Sequence, residues 1–146
     1  MSISIAGLEL RRIVALRNFG DVKAGTLGGY IAYEQNLSHG GTCWVGGNAR
    51  VLGDARVFEH AMVEGEALVY GLARISGNAF VWEQAEVYEW AQISGDARVR
   101  GKSIIRGYSK IRGNIVIYGE ATVSAFRPKH FVEPKSHWAL KCSGPT

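Results

Sequence analysis

The hydrophobic and polar positions of this chain repeat every six residues over more than half of its length. From Gly41 to Ser124 the sequence divides into fourteen consecutive hexads without an insertion, beginning GTCWVG, GNARVL, GDARVF. The first position is Gly in eleven hexads and Glu in three, the third is Ala in ten, and the fifth is Val or Ile in all fourteen. Two weaker hexads, GYIAYE and QNLSHG, extend the same phase back to Gly29. A repeat of this regularity indicates a solenoid.

Each hexad predicts one very short strand followed by one corner. In the segment A-x-V the third and fifth positions point to the same side, because side chains alternate along a strand. The following x-G-N or x-G-D is turn chemistry, since Gly tolerates positive φ and Asn or Asp bonds its own backbone. Three hexads, about 18 residues, then close one triangular coil, and successive coils stack as parallel strands about 4.8 Å apart.

This alternation of an aliphatic and a small inward residue resembles the left-handed parallel β-helix of the hexapeptide-repeat proteins. The resemblance implies the left hand, which breaks the usual right-handed crossover rule. In most hexapeptide acyltransferases Gly directly follows the inward aliphatic residue, whereas here it comes two later, as in Val51-Leu52-Gly53. The G-N/D-A-R-V pattern is more similar to small β-helix proteins of phage and prophage genomes, often labelled transferases or polymer-forming proteins.

The two ends leave the repeat. Residues 1–28 are predicted to form an N-terminal cap or arm, 29–124 an all-β, single-stranded left-handed β-helix of about five coils, and 125–146 a C-terminal tail or cap. A solenoid end exposes unpaired backbone and needs a cover, which is the role expected of both segments.

The fourth and sixth positions of each hexad point outward, and residues 18 apart stack into columns. Two adjoining faces carry apolar columns that predict an oligomer interface, most simply of a homotrimer, the usual state of the resembling proteins. The interface candidates are Trp44, Met62, Phe80 and Trp82 on one face and Leu52, Leu68, Tyr70 and Tyr88 on the next. The third face is polar to basic, and its Arg56, Arg74 and Lys110 are candidates for binding a ligand.

Charge is segregated along the solenoid axis. Seven acids lie from Glu59 to Asp96, and the fifteen residues 98–112 carry a belt of bases without an acid: Arg98, Arg100, Lys102, Arg106, Lys110 and Arg112. A belt around a prism tracks a duplex poorly, so a small anionic ligand at a subunit junction is more plausible than sequence-specific nucleic-acid binding. A solvated surface without a ligand is the alternative.

One corner column adds aromatic rings to this basic surface. It is predicted to run Asn36, Asp54, Leu72, Trp90, Tyr108, near Arg74 and Lys110. Trp90 and Tyr108 are therefore ligand candidates, because exposed rings beside cations can stack a base. Contact with a neighbouring subunit or with a tail is the competing explanation.

Catalytic chemistry is sparse in this sequence. An acyltransferase would need a histidine base, and His60 at a corner is a weak candidate, with His39 in an irregular hexad and His130 and His137 in the tail. The two cysteines and the dispersed histidines form no metal-ligand cluster, so we expect no metal and no cofactor. No apolar run is long enough to span a membrane, and we expect a cytoplasmic protein.

The sequence therefore predicts a non-catalytic, oligomeric binding or scaffold protein, of a kind that phages encode. Its expected partners are further copies of itself, a small anionic or nucleotide-like ligand, and a host protein. The alternative is a diverged hexapeptide acyltransferase that uses acetyl-CoA, which the absence of an inserted loop between hexads disfavours.

Overall fold

The computed structural model describes residues 2–126. Three strands precede the regular hexads: β1 (Ser2–Ile5), β2 (Leu8–Val14) and β3 (Leu27–Ile31), and a 3-10 turn follows at Glu34–Asn36. One strand then comes from each hexad: β4 (Trp44–Val45), β5 (Arg50–Val51), β6 (Arg56–Val57), β7 (Met62–Val63), β8 (Leu68–Val69), β9 (Arg74–Ile75), β10 (Phe80–Val81), β11 (Glu86–Val87), β12 (Gln92–Ile93), β13 (Arg98–Val99), β14 (Ile104–Gly107), β15 (Lys110–Ile111), β16 (Val116–Ile117) and β17 (Thr122–Ala125).

These strands form three sheets, which are the three faces of a prism. Face 1 contains β4, β7, β10, β13 and β16. Face 2 contains β3, β5, β8, β11, β14 and β17, and is extended at its N-terminal edge by β2 and β1. Face 3 contains β6, β9, β12 and β15. Within each face the hexad strands pair in parallel with a register of 18 residues, as in Phe80 with Met62 and Arg98.

The interior is one column of small and β-branched side chains. From Val45 to Val99 every third-position Ala and every fifth-position Val or Ile is at most 1 % exposed. Ser103 and Ser109 replace Ala and are buried too, because each hydroxyl donates a 2.7 Å hydrogen bond to a backbone carbonyl three residues earlier. The predicted fold is confirmed: an all-β parallel solenoid of about five coils. Its left hand stays a prediction from the resemblance.

The corners explain why the first position accepts Gly and Glu. At Gly65 φ is +67°, and an added Cβ would lie 2.7 Å from the backbone nitrogen of Glu83 in the next coil. Glu59, Glu83 and Glu89 nevertheless adopt φ near +60° at equivalent corners. Each carboxylate accepts a hydrogen bond from the backbone N–H eighteen residues on, as Glu59 does from Gly77 at 2.8 Å. This bond offsets part of the strain of a left-handed non-glycine residue.

The N-terminal arm, residues 2–26, is built on an antiparallel hairpin rather than on hexads. β1 and β2 pair across Ala6 and Gly7, both at positive φ, which is the conformation of a two-residue hairpin turn. β2 pairs antiparallel with β3, with an irregularity between Arg12 and Val14. The arm therefore prolongs face 2 alone.

The expectation that the hexad phase reaches back unbroken to Gly29 is wrong by two residues. Ile31 pairs with Val51 and Leu37 with Val57, a separation of 20 instead of 18. Regular stacking starts at Thr42, whose N–H donates to the carbonyl of Glu59. Two extra residues are therefore accommodated at the corner between Ser38 and Thr42.

Asn36 consequently leaves the predicted corner column and is completely buried. Its Nδ2 donates to the carbonyls of Gly53 and Ala55 at 3.1 and 2.8 Å, and its Oδ1 accepts from the N–H groups of Ala32 and Tyr33. In regular coils backbone N–H groups reach those carbonyls. The side chain thus replaces the strand that the 3-10 turn interrupts.

The last described coil leaves the C-terminal end of the core open within residues 2–126. Ile115 stands where other hexads place a buried Ala, yet it is 47 % exposed because no described coil covers it. The predicted C-terminal tail or cap lies outside the described residues from 127 onward, as do His130 and His137. Over residues 2–126, no helix has the length and apolarity needed to cross a bilayer.

Val81→Asp should prevent folding, because the side chain is fully buried in a core one side chain wide. An unpaired carboxylate there costs several kcal/mol, a large part of the roughly 5–15 kcal/mol that stabilises a domain. Circular dichroism and soluble yield measure the effect, with Gln84→Asp at an exposed corner as the control. A soluble Val81→Asp protein with an unchanged Tm would contradict the inward assignment.

Asn36→Ala should lower the free energy of unfolding by about 2–4 kcal/mol, because two buried carbonyls and two N–H groups lose their partner. Asn78→Ala, at an exposed regular corner, should change it by less than about 0.5 kcal/mol. Urea denaturation of both variants provides the measurement. Equal free energies of unfolding for Asn36→Ala and Asn78→Ala would show that the 3-10 turn does not depend on Asn36.

Candidate anion-binding site

Face 3 carries a column of long polar side chains that the strand register places one above another. Arg56 pairs with Arg74, Arg74 with Gln92, and Gln92 with Lys110. The three cations are exposed, and none makes an ion pair or hydrogen bond with any residue from 2 to 126. Arg56 and Arg74 are direct cross-strand neighbours of like charge, an arrangement that is unfavourable unless an anion lies between them.

An open groove of about 530 Å³ lies at the N-terminal end of this column. It exists because β6 is the first strand of face 3, and the 3-10 turn with the two-residue insertion stands where an earlier strand would be. Its walls combine the arginine pair, an aromatic ring and polar groups: Glu34, Gln35, Leu37, Ser38, His39, Arg56, Val57, Phe58 and Arg74.

The electrostatics of the groove favour an anion. Its one acid, Glu34, lies 3.5 Å from the imidazole Nε2 of His39, and the two arginines outnumber it. Two guanidinium groups remain, each able to hold a phosphate or carboxylate through two hydrogen bonds. Phe58 offers an apolar surface beside them. The combination suits a ligand with an anionic group and a flat apolar part.

Trp90 and Tyr108 lie at the corner between faces 2 and 3 and are brought together by the coil stacking. Their ring centroids are 5.7 Å apart with an interplanar angle of 12°, so the two rings stack on each other. A base therefore has no room between them. Neither residue lines the groove, so the structure separates these aromatic candidates from Arg56 and Arg74.

The six bases between residues 98 and 112 are distributed around the prism. Arg98 and Arg100 belong to face 1, Lys102 to the corner between faces 1 and 2, Arg106 to face 2, and Lys110 and Arg112 to face 3. They surround the solenoid as the sequence indicated and do not converge on one site. Arg100 is further committed to aromatic contacts, because its guanidinium lies 5.9 Å from the ring centroids of both Trp82 and Tyr118.

The catalytic candidate His60 sits at the exposed corner between faces 3 and 1. Its Nδ1 is 2.8 Å from the hydroxyl of Thr42, its stacking partner in the preceding coil. A shallow depression of about 440 Å³ surrounds it, lined by Ser38, Gly40, Gly41, Phe58, Glu59, His60, Gly77 and Asn78. The carboxylate of Glu59 is bonded to Gly77 and so is not oriented toward the imidazole by any described contact.

The interface candidates on face 1 are partly exposed, with one exception. Phe80 and Trp82 contact each other at a centroid distance of 4.3 Å. Trp44 is only 6 % exposed, because Phe19 of the arm packs edge-on against it at 5.5 Å. Trp44 is therefore unavailable to a second copy. The column also contains Arg98, so face 1 is less uniformly apolar than its aromatic residues suggest.

Face 2 carries the second group of interface candidates. Tyr70 and Tyr88 stack with a centroid distance of 4.9 Å and an interplanar angle of 6°. Burial of its phenol raises the pKa of Tyr70, and nearby Tyr88, Glu86 and Glu89 act in the same direction.

Sequence reasoning named Arg56 and Arg74 but missed the groove that joins them to His39, Phe58 and Glu34. The assumed phase placed QNLSHG in a regular hexad and so predicted a continuous face. The available signal was the HGG run at residues 39–41, which marks a corner longer than its neighbours.

Residues 91–107 match a family model described as the YdcK beta solenoid repeat. This stretch contains β12, β13 and β14 and amounts to about one coil, so the chain is similar to that repeat family over a short segment. Among curated proteins none matches the chain significantly. The repeat match and the stacked coils together fit a β-helix repeat protein.

Proposed function

We propose that this protein is a non-catalytic, oligomeric binding protein that holds a nucleotide-like anion in the groove on face 3. The observation that carries the proposal is the cross-strand pair Arg56 and Arg74, which has no acidic partner in residues 2–126 and opens onto a groove of suitable size. An anionic group placed between the two guanidiniums relieves their repulsion, and an aromatic part of the ligand packs against Phe58.

The phage or prophage relationship and a cytoplasmic location belong to the same proposal. Their support is the resemblance of the G-N/D-A-R-V hexads to small proteins of that kind, and the use of only two cysteines, which suits a reducing compartment. A host protein is the second partner class that such a scaffold would contact.

Arg74→Ser should weaken ADP binding roughly tenfold, because a charge-assisted hydrogen bond contributes about 1.5–3 kcal/mol. The same change should leave the ligand-free Tm unchanged or slightly higher, since a like-charge pair is removed. Isothermal titration with ADP, pyrophosphate and adenosine, at low and high salt, measures both the anion and the ring contribution.

Arg11→Ser is the matched control, because Arg11 is an exposed arginine of the arm that lies outside the groove. Equal ADP affinity in the Arg74→Ser and Arg11→Ser proteins would contradict the groove. Stabilisation by acetyl-CoA alone, lost in His60→Ala, would favour the acyltransferase alternative.

The oligomeric part of the proposal rests on apolar surface that nothing in residues 2–126 covers. On face 1 Val116 is 50 % and Tyr118 is 64 % exposed, in the columns that contain Phe80 and Trp82. The stacked tyrosines of face 2 follow across one corner. Apolar columns on two adjoining faces suit a threefold axis parallel to the prism, so we propose a homotrimer.

Replacing Phe80 and Trp82 together by Ser should release monomers, because aromatic residues at the centre of an interface can each contribute about 2 kcal/mol or more. Arg56→Ser on face 3 should leave the assembly intact. Light scattering of both proteins provides the measurement. A wild-type monomer would refute the trimer and assign these columns to contacts within the chain.

A further inference from the structure

A second and more enclosed cavity, of about 620 Å³, lies at the N-terminal end of the solenoid. Its floor is the first coil, and its wall is the end of β2 with the segment of the arm that follows it. The lining includes Ile13, Leu16, Arg17, Leu37 and Cys43. Cavities of roughly 300–1,000 Å³ are the usual size for small-molecule sites.

The cavity is a continuation of the hydrophobic core. Ile31, Leu37 and Cys43 occupy the inward positions of the first coil, and Cys43 is 5 % exposed. In every later coil the corresponding level is filled by the Ala and Val of the neighbouring coil. Here the arm provides the cover, but only its strand β2, with the side chain of Ile13, packs directly against the first coil. The rest of the space that another coil would fill stays open between the arm and the first coil.

The arm also presents apolar side chains that nothing in residues 2–126 covers. Leu16 is 90 % exposed and Val14 is 47 % exposed, and both line the cavity. Adjacent exposed aliphatic groups on the wall of a core-like cavity favour an apolar occupant, because each buried methylene contributes about 0.8 kcal/mol.

The rim of the cavity is cationic. Arg12 donates to Gly47 and Asn48, which holds its guanidinium at the base of the arm. The carboxylate of Glu34 lies 3.5 Å from Nε2 of His39. Arg17, beside Leu16, is exposed and makes no ion pair or hydrogen bond with residues 2–126, so it is the cation available to a ligand.

We propose that this cavity binds an amphipathic monocarboxylate, with its alkyl chain along Leu16, Ile13 and Leu37 toward Cys43 and its carboxylate at Arg17. The cavity borders the groove of face 3 at Glu34, Leu37, Ser38 and His39, but its cation and its apolar wall are separate from Arg56 and Arg74. The proposal therefore does not rest on the proposed nucleotide-like ligand.

Isothermal titration of the full-length protein with decanoate, below its micelle-forming concentration, should show saturable binding of one molecule per chain. Octanoate should bind roughly tenfold more weakly, because it lacks two methylenes. Decanol and decyltrimethylammonium, which lack the anionic group, should bind several-fold more weakly than decanoate. Equal affinity for decanoate and decyltrimethylammonium would overturn the role of Arg17.

Leu16→Asn and Arg17→Ser should each weaken decanoate binding about fivefold or more. The matched controls are Leu27→Asn and Arg11→Ser, which change exposed residues outside the cavity and should leave the affinity unchanged. Because Leu16 and Arg17 are exposed, these variants should keep the wild-type Tm. Wild-type affinity in both variants, or absence of decanoate binding by the wild type, would refute the proposal.

Cys43 provides a reporter that is independent of affinity. Burial raises the pKa of its thiol, which donates to the carbonyl of Ser38 at 3.2 Å, so it should react slowly with maleimide even at alkaline pH. In a Cys142→Ser background, saturating decanoate should slow this labelling several-fold, whereas ADP should not. An unchanged labelling rate at saturating decanoate would place the ligand elsewhere and overturn the proposed site.

Discussion

The stacking of one coil on the next at a register of 18 residues is the constraint on which the rest of this structure depends. Each hexad contributes only two inward side chains and a strand of two to four residues, which would be unstable alone. Parallel backbone hydrogen bonds, such as Met62 N–H to the Ala79 carbonyl at 2.9 Å, connect every coil to its neighbour. Small side chains let the chains approach, and the positive φ at the corners returns the backbone to the next face.

This stacking also organises the surface, because any outward residue has its nearest neighbours 18 positions away. At three places this register brings like residues together: Tyr70 stacks on Tyr88, Trp90 on Tyr108, and Arg56 lies beside Arg74. Stacked rings gain contact and become part of the scaffold. The paired arginines repel each other, and a bound anion would relieve this repulsion.

The first coil is where the regular geometry fails, and both cavities discussed above adjoin it. Two extra residues before Thr42 and the 3-10 turn at Glu34–Asn36 remove one strand of face 3, which opens the groove beside Arg56. The arm then covers the core imperfectly and leaves the apolar cavity near Cys43. Asn36 stabilises this irregular coil by supplying with its side chain the donors that a strand would have supplied.

The sequence by itself determined the solenoid, the corner positions and the inward residues. With a six-residue period, only one strand per hexad followed by a corner buries the Ala and the Val on the same side. It also determined which outward residues share a column from Gly41 onward. Only the tertiary structure decided what happens before Gly41, where a two-residue shift, a hairpin and a buried Asn36 depend on long-range pairing with Val51 and Val57. The candidate sites lie there because the repeat determines how one coil stacks on the next but not how the first coil is covered. That cover depends on which distant backbone and side-chain groups remain to be paired and buried.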